Sequence, residues 1–245
     1  MALNKISEKI RGYSVWHITQ LSDLMKFCEQ ETRSRDVFFR GQSKDWDLLP
    51  KIARPSSRKF IPSVEKKMFD QFVREAQIFL DKTPNNQWDW LAIAQHHGLT
   101  TRLLDWTMNP LLALWFSIRK IKTDVEVKPE VWVFQPDSED IITDVTADED
   151  PFKGERTKVF IPRHVIPRIR AQSGAFTVHK YIDKNKVFIP LQKNIRQRRK
   201  LIKIEVSIRH ISLIRSELDR CGIHAGIAFP DLDGLSERLC SIFRY

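Results

Sequence analysis

The sequence predicts an α/β (α+β) protein: a single compact domain whose central mixed β-sheet is flanked by helices. Three observations predict it. Short apolar runs of strand length, such as Val37-Phe38-Phe39, Val131–Phe134 and Leu201–Val206, are spaced out by stretches with helical periodicity. No Gly/Ser/Pro-rich linker and no internal repeat divides the chain. The 245 residues are 42% hydrophobic, enough for one sizeable core.

Taken in order, Ser14–Ile18 is a short strand, and Ser22 caps a helix through Cys28 with Leu24 and Phe27 on its inner face. Val37–Gln42 is a buried strand that Gly41 ends in a turn, which sets Arg40 at a strand end. Pro50 and Pro55 keep the stretch around Trp46–Arg54 irregular. Ser63 begins a long helix with Glu65 in its acidic first turn, and Phe69, Phe72, Ala76 and Phe79 form a core stripe. Asp89–Gln95 gives a second helix, closed by a left-handed Gly98, with His96 and His97 in its last turn. Thr101–Asp105 reads as a strand with Arg102 and Leu104 on one face, Leu103 and Asp105 on the other. Asn109 as N-cap and Pro110 as first helical residue open a helix that is apolar nearly all round from Leu111 to Phe116, and therefore buried.

Val131–Phe134 is a central strand, Asp137–Asp150 is acidic, aperiodic and therefore an exposed loop, and Val159–Pro162 is a further strand. Basic Arg163–Arg170 leads into a turn and a strand within Ala171–His179, and Leu201–Val206 alternates as a strand. Ile211–Cys221 is an amphipathic helix stopped at Gly222. Pro230–Gly234 opens a final helix with Leu235, Leu239 and Phe243 inward.

Forty-one basic residues against 31 acidic ones leave a formal charge of +10, which points to an anionic ligand, a nucleotide or nucleic acid. The run Lys193–Lys203, with Arg163, Arg168 and Arg170, reads either as a solvated basic surface or as a stripe that tracks phosphates. Cys28, Cys221 and Cys240 are odd in number and lack CxxC spacing, so they read as reduced thiols of a cytoplasmic protein. Met1–Arg11 is polar and mixed in charge, unlike a signal peptide, and Leu111–Ile118 is too short to span a bilayer, so no membrane partner is expected. His96-His97, with His179 and Cys221 far off, match no zinc spacing, and no metal is expected. The GxSxG, P-loop and Rossmann glycine patterns are absent, as is a carboxylate cluster of the kind a metal-dependent nuclease needs.

The densest polar stretch is Gln95–Thr107, where two imidazoles, an arginine and an aspartate lie in apolar surroundings. Such groups must bond to one another or to a ligand, because burying them unpaired is costly. Arg40 suits a bidentate grip on phosphate, or an ion pair with Asp105. His96 suits a general acid or base or a positioning donor, or a helix-end histidine bonded to backbone. Arg102 and Asp105 either orient these groups or pin the strand to a helix, and Thr101 either touches a ligand or simply packs. The expectation is one polar cleft lined by Arg40, His96, Arg102 and Asp105, with Gln172 as a further member.

Four blocks resemble the FRG domain family of bacteria and phages: Phe39-Arg40-Gly41 with Gln42; Gln95–Thr107 with Asn109-Pro110 and Ala113; Gln172-Ser173-Gly174-Ala175-Phe176; and Phe229–Gly234. In the second block the family often has an aromatic at His97 and a proline at Thr100, so His96 is the histidine carried over. A more distant likeness of layout is to ADP-ribosyltransferases, whose first strand ends in aromatic-Arg-Gly. That likeness implies NAD as cofactor, with Arg40, Gln42, Thr101 and Arg102 on the cofactor side and His96, Asp105 and Gln172 as catalytic candidates. It implies a nucleic-acid or protein acceptor and a place in phage–host conflict, as toxin or defence. The chain departs from it at Gln172, which stands where those enzymes carry a glutamate and has no charge. The rival expectation is a non-catalytic nucleic-acid-binding module that uses the basic surface.

Overall fold

The structure is a computed structural model and describes residues 5–7, 12–32, 34–54, 61–121, 127–143, 145, 150–163 and 167–243. Its first half runs β1 (Lys5–Ser7), β2 (Ser14–Ile18), α1 (Leu21–Glu31), β3 (Phe38–Gln42), α2 (Pro62–Ala76), α3 (Gln87–His96), β4 (Leu103–Thr107) and α4 (Pro110–Ile118). Strands β5 (Glu130–Phe134), β6 (Ile141–Ile142) and β7 (Lys158–Phe160) follow, then α5 (Pro167–Ala171) and β8 (Gly174–Val178). A small hairpin of β9 (Tyr181–Ile182) and β10 (Val187–Phe188) precedes β11 (Leu201–Val206), α6 (Ile211–Arg220), α7 (Ala225–Ala228) and α8 (Leu232–Phe243).

Among the described residues, nine strands form one mixed sheet in the order β1-β2-β11-β5-β3-β4-β8-β7-β6. The β2–β11 and β6–β7 pairs are parallel and the others antiparallel. All five residues of β5 are buried: the apolar run Val131–Phe134, as a central strand requires, and Glu130, which is held by Lys203 and Gln42. Its Val131 and Val133 join Phe39 and helices α1, α4 and α6 on one face. Trp132 and Phe134 join Phe38, Leu104 and Trp106 on the other. A third cluster gathers Leu103, Phe160 and Phe176 under α2 and α3. The mixed sheet with helices packed against it is the α/β domain that the sequence predicts.

Several boundaries move for physical reasons. Helix α1 starts at Leu21, not after Ser22, because the Asp23 carboxylate accepts from the backbone N–H groups of Thr19 and Gln20 at 2.9 and 3.3 Å. Gly41 does not end its strand: it lies inside β3, pressed against α4. Helix α2 begins at Pro62 rather than Ser63, with proline at the first helical position. Of its expected stripe only Phe69 is fully buried, while Phe79 is 79% exposed. Strand β4 starts two residues after Thr101, which leaves Arg102 outside it. The acidic stretch after Asp137 is partly ordered: Ile141–Ile142 pair with β7 and Asp140 is buried. Part of that stretch, like Pro55, lies outside the described residues. In α8 the expected inward residues Leu235, Leu239 and Phe243 are instead exposed.

Candidate functional site

Strands β3 and β4 share a single residue pair, Phe39 with Thr107. A cleft of about 490 Å³ lies where they part. Strand β3 contributes Arg40 and Gly41, β4 contributes Asp105 and Trp106, and the end of α3 contributes Gln95 and His96. Phe116 and Arg119 come from the end of α4, Arg168 and Gln172 from in and just after α5, and Phe229 from the residue after α7.

Local sequence explains this convergence. Asn109 caps α4 by accepting from the N–H groups of Leu111 and Leu112, so the helix starts at once after β4 and delivers Arg119 to the cleft at its far end. The absence of a side chain at Gly41 lets α4 lie directly on β3, since a Cβ there would sit 1.9 Å from the Ala113 carbonyl oxygen. Helix α3 ends in a Schellman turn, with Leu99 N–H donating to Ala94 O at 2.9 Å and Gly98 at φ +91. That turn stops the helix with His96 at the cleft.

Arg40 Nη1 donates to the Asp105 carbonyl at 2.7 Å and lies 3.8 Å from its carboxylate, while Nε donates to Gln42 Oε1 at 3.2 Å. Nη2 is unengaged among the described residues. Burial pushes the guanidinium down to about 10, with Asp105 opposing and Arg54 adding, so it stays charged at neutral pH. The Asp105 carboxylate is 59% exposed and accepts from Gln95 Nε2 at 3.2 and 3.3 Å. Thr101 in turn donates to Gln95 Oε1 at 2.7 Å. His96 makes no hydrogen bond to a described residue; its ring meets His97 edge-on at 4.9 Å. Burial, the neighbouring His97 and Arg168 hold it below the ordinary histidine range, while Asp105 and Asp231 oppose them. It is therefore neutral at pH 7, with one ring nitrogen to donate and one to accept.

Arg40, His96, Asp105 and Gln172 thus meet in one cleft. Arg102 does not. It is buried against Glu65, with Nη2 2.5 Å from the carboxylate and Nε 3.0 Å from it, and stacks 5.0 Å from the Phe152 ring. A fully buried pair of this kind is structural. Gln42 and Thr101 are buried behind the cleft rather than lining it: Gln42 donates to Trp46 O and Glu130 Oε1 at 3.0 and 3.1 Å and steadies Arg40, and Thr101 steadies Gln95. Gln172 spends its amide N–H on the Ala228 carbonyl at 2.9 Å.

Sequence reasoning missed Arg119 as a cleft residue and placed Arg168 only in a basic surface run. The first follows an all-apolar helix like any closing cation; the second sits among neighbouring arginines. Neither carries a local signal, because the partner that marks them, Phe229, lies far along the chain. Among the described residues no three His, Cys, Asp or Glu side chains gather as a metal site, and no helix is long and apolar enough to cross a membrane.

The polar cleft between two parted strands of an α/β sheet defines the class of site. Compared with models of known families, residues 35–126 match the FRG domain, and the chain carries an FRG domain over that span. The match includes Arg40, His96 and Asp105, whereas Gln172 and the Phe229–Gly234 block lie beyond it. No curated protein and no solved structure matches the chain.

Proposed function

We propose that the cleft binds a phosphate-bearing nucleotide, with NAD as the candidate, and works as an ADP-ribosyltransferase-like site towards nucleic acid or protein, in phage–host conflict. The observation that carries the reading is the convergence of a charged, half-sequestered guanidinium with an imidazole and a carboxylate in one cleft large enough for part of a dinucleotide. In this reading Arg40 holds the diphosphate through its unengaged Nη2 edge, backed by Gln42. Asp105 is the one carboxylate among the described lining residues. It takes the place of the glutamate missing at Gln172, steadying positive charge on the nicotinamide ribose as the glycosidic bond breaks. His96, neutral and unbonded, holds or accepts the acceptor's proton. The three cysteines are free, which suits a cytoplasmic setting.

Calorimetric titration with NAD, followed by incubation with labelled NAD and nucleic-acid or protein acceptors, tests this. Arg40→Ala should weaken NAD binding about 10- to 100-fold, the loss of one charge-assisted contact. His96→Ala should keep binding and fold but lower label transfer by about 10²-fold or more. No NAD binding at millimolar concentration and no transfer would end the reading.

A second reading, a non-catalytic nucleic-acid module, is favoured by a separate groove of about 800 Å³ whose lining includes Arg156, Lys158, Lys180, Lys193 and Arg196. Its signature is salt dependence without catalysis.

A further inference from the structure

We propose that Arg119 and Arg168, stacked on the ring of Phe229, form a phosphate subsite in the cleft that acts in addition to Arg40 and takes one phosphate group of the ligand. The inference rests on the reading of this cleft as a site for a phosphate-bearing ligand.

Charge balance carries it first. Among the described residues the cleft lining holds three arginines and one aspartate, and that aspartate is already beside Arg40. Arg119 has a single carboxylate partner, Glu237, at 2.9 Å, while Arg168 has none among the described residues. The Nε of Arg119 is buried with no hydrogen-bond partner among the described residues.

Geometry carries it second. The Arg119 guanidinium lies 4.5 Å from the Phe229 ring centre and that of Arg168 lies 4.1 Å from the same centre. Trp115, at 4.8 Å, holds Arg119 from another side. A ring contacts the flat face of a guanidinium and leaves its in-plane N–H groups pointing outward. Two such forks fixed on one ring repel each other: burial and the nearby Arg168 lower the Arg119 guanidinium from its ordinary value, with Glu237 opposing, and it stays charged. A stack that served packing alone would gain from one cation and lose from the second. A tetrahedral phosphate with several acceptor oxygens satisfies both forks and removes the repulsion. Two cations favour a phosphomonoester or pyrophosphate group over a singly charged diester.

The probe is inorganic phosphate, titrated into the full chain by calorimetry and by NMR of the His96 ring protons, with circular dichroism to confirm folding. Arg119→Gln and Arg168→Gln should each weaken phosphate binding about tenfold or more, Arg168→Lys should restore part of it, and Arg220→Gln, at an exposed residue that lines neither the cleft nor the basic groove, should change nothing. Phosphate should raise the wild-type His96 titration, because it neutralises Arg168, one of the charges that hold His96 down. In Arg168→Gln the titration should start higher and move less. No phosphate effect in the wild type, or an undiminished one in both glutamine variants, overturns the subsite. If phosphate binds through Arg119 and Arg168 while NAD does not bind, the subsite stands and the NAD reading falls. If NAD binds through Arg40 and Arg168→Gln binds NAD and phosphate as the wild type does, the subsite alone falls.

Discussion

Arg40 lines the cleft together with His96, and its charge reaches a second, buried histidine, His179. Burial, with Arg40 adding and the nearby Ile189 backbone opposing, pushes His179 down to about 3. The ring lies 3.1 Å from the Thr177 hydroxyl, and the residue is 1% exposed, so it is neutral in the folded protein. An unfolded histidine titrates near 6.5 and so binds protons more readily than the folded one. Stability from this residue is therefore complete above about pH 6.5 and declines as pH falls towards about 3, by up to about 5 kcal/mol in all. Urea midpoints at pH 7 and pH 4 check this. The wild type should lose more stability between the two than His179→Gln, and equal losses would refute the assignment. At this scale the sequence was readable where polar residues crowd together, as at His96 and Asp105, and at the end of an apolar strand, as at Arg40. It misled at Arg102, whose partner Glu65 lies 37 residues away on helix α2, so the nearer Asp105 looked like its mate.

Elements were legible where a local signal fixes them. Asn109-Pro110 starts α4 as read, and Gly98 ends α3 as read. Two apolar stripes misled because periodicity marks a face without saying what covers it: Phe79 beyond α2, and Leu235, Leu239 and Phe243 on α8, remain exposed. Gly41 was read as a turn because glycine has two uses, freedom of φ and lack of a side chain, and sequence does not distinguish them. The two uses predict different costs. At Gly98 (φ +91) an added Cβ meets nothing within 4 Å, so Gly98→Ala carries only backbone strain, about 1 kcal/mol. At Gly41 the Cβ would stand 1.9 Å from Ala113 O and 2.6 Å from Ser117 N, both backbone atoms of a buried helix. Gly41→Ala should therefore push α4 off β3 and cost about 3 kcal/mol, at the top of the overpacking range. Because the same displacement opens the Arg40 side of the cleft, it should also weaken NAD binding. Urea unfolding of the two variants gives the ranking, and a Gly98→Ala cost equal to or above that of Gly41→Ala would show that α4 gives way more easily than its packing implies.

For the whole molecule, sheet order was beyond the sequence: β2 pairs in parallel with β11, nearly the full chain apart, and no local pattern records that register. The same long-range folding breaks up the basic run that looked continuous on paper. Lys193 pairs with Asp47 at 2.9 Å, Lys200 with Asp137 and Asp140 at 2.5 and 2.9 Å, and the buried Lys203 with Glu130 at 2.6 Å. Arg168 turns into the cleft. Of the basic run and its three flanking arginines, Arg170, Arg196 and Arg199 are exposed without a carboxylate partner among the described residues. A nucleic-acid binder releases counterions in proportion to the phosphates it neutralises, about 0.7 per contact on a single strand. Three contacts through those residues alone would set a log–log salt slope of about −2, whereas the six of Lys193–Lys203 acting together would give about −4. Fluorescence anisotropy with a labelled single strand across a salt series measures it. A shallow slope, reduced by Arg196→Ala and Arg199→Ala but not by Arg40→Ala, would place nucleic acid as an acceptor held loosely outside the cleft. A slope near −4 that ignores Arg40 would mean that the internal ion pairs open on binding, and that the chain is a nucleic-acid module whose cleft is incidental to its main partner.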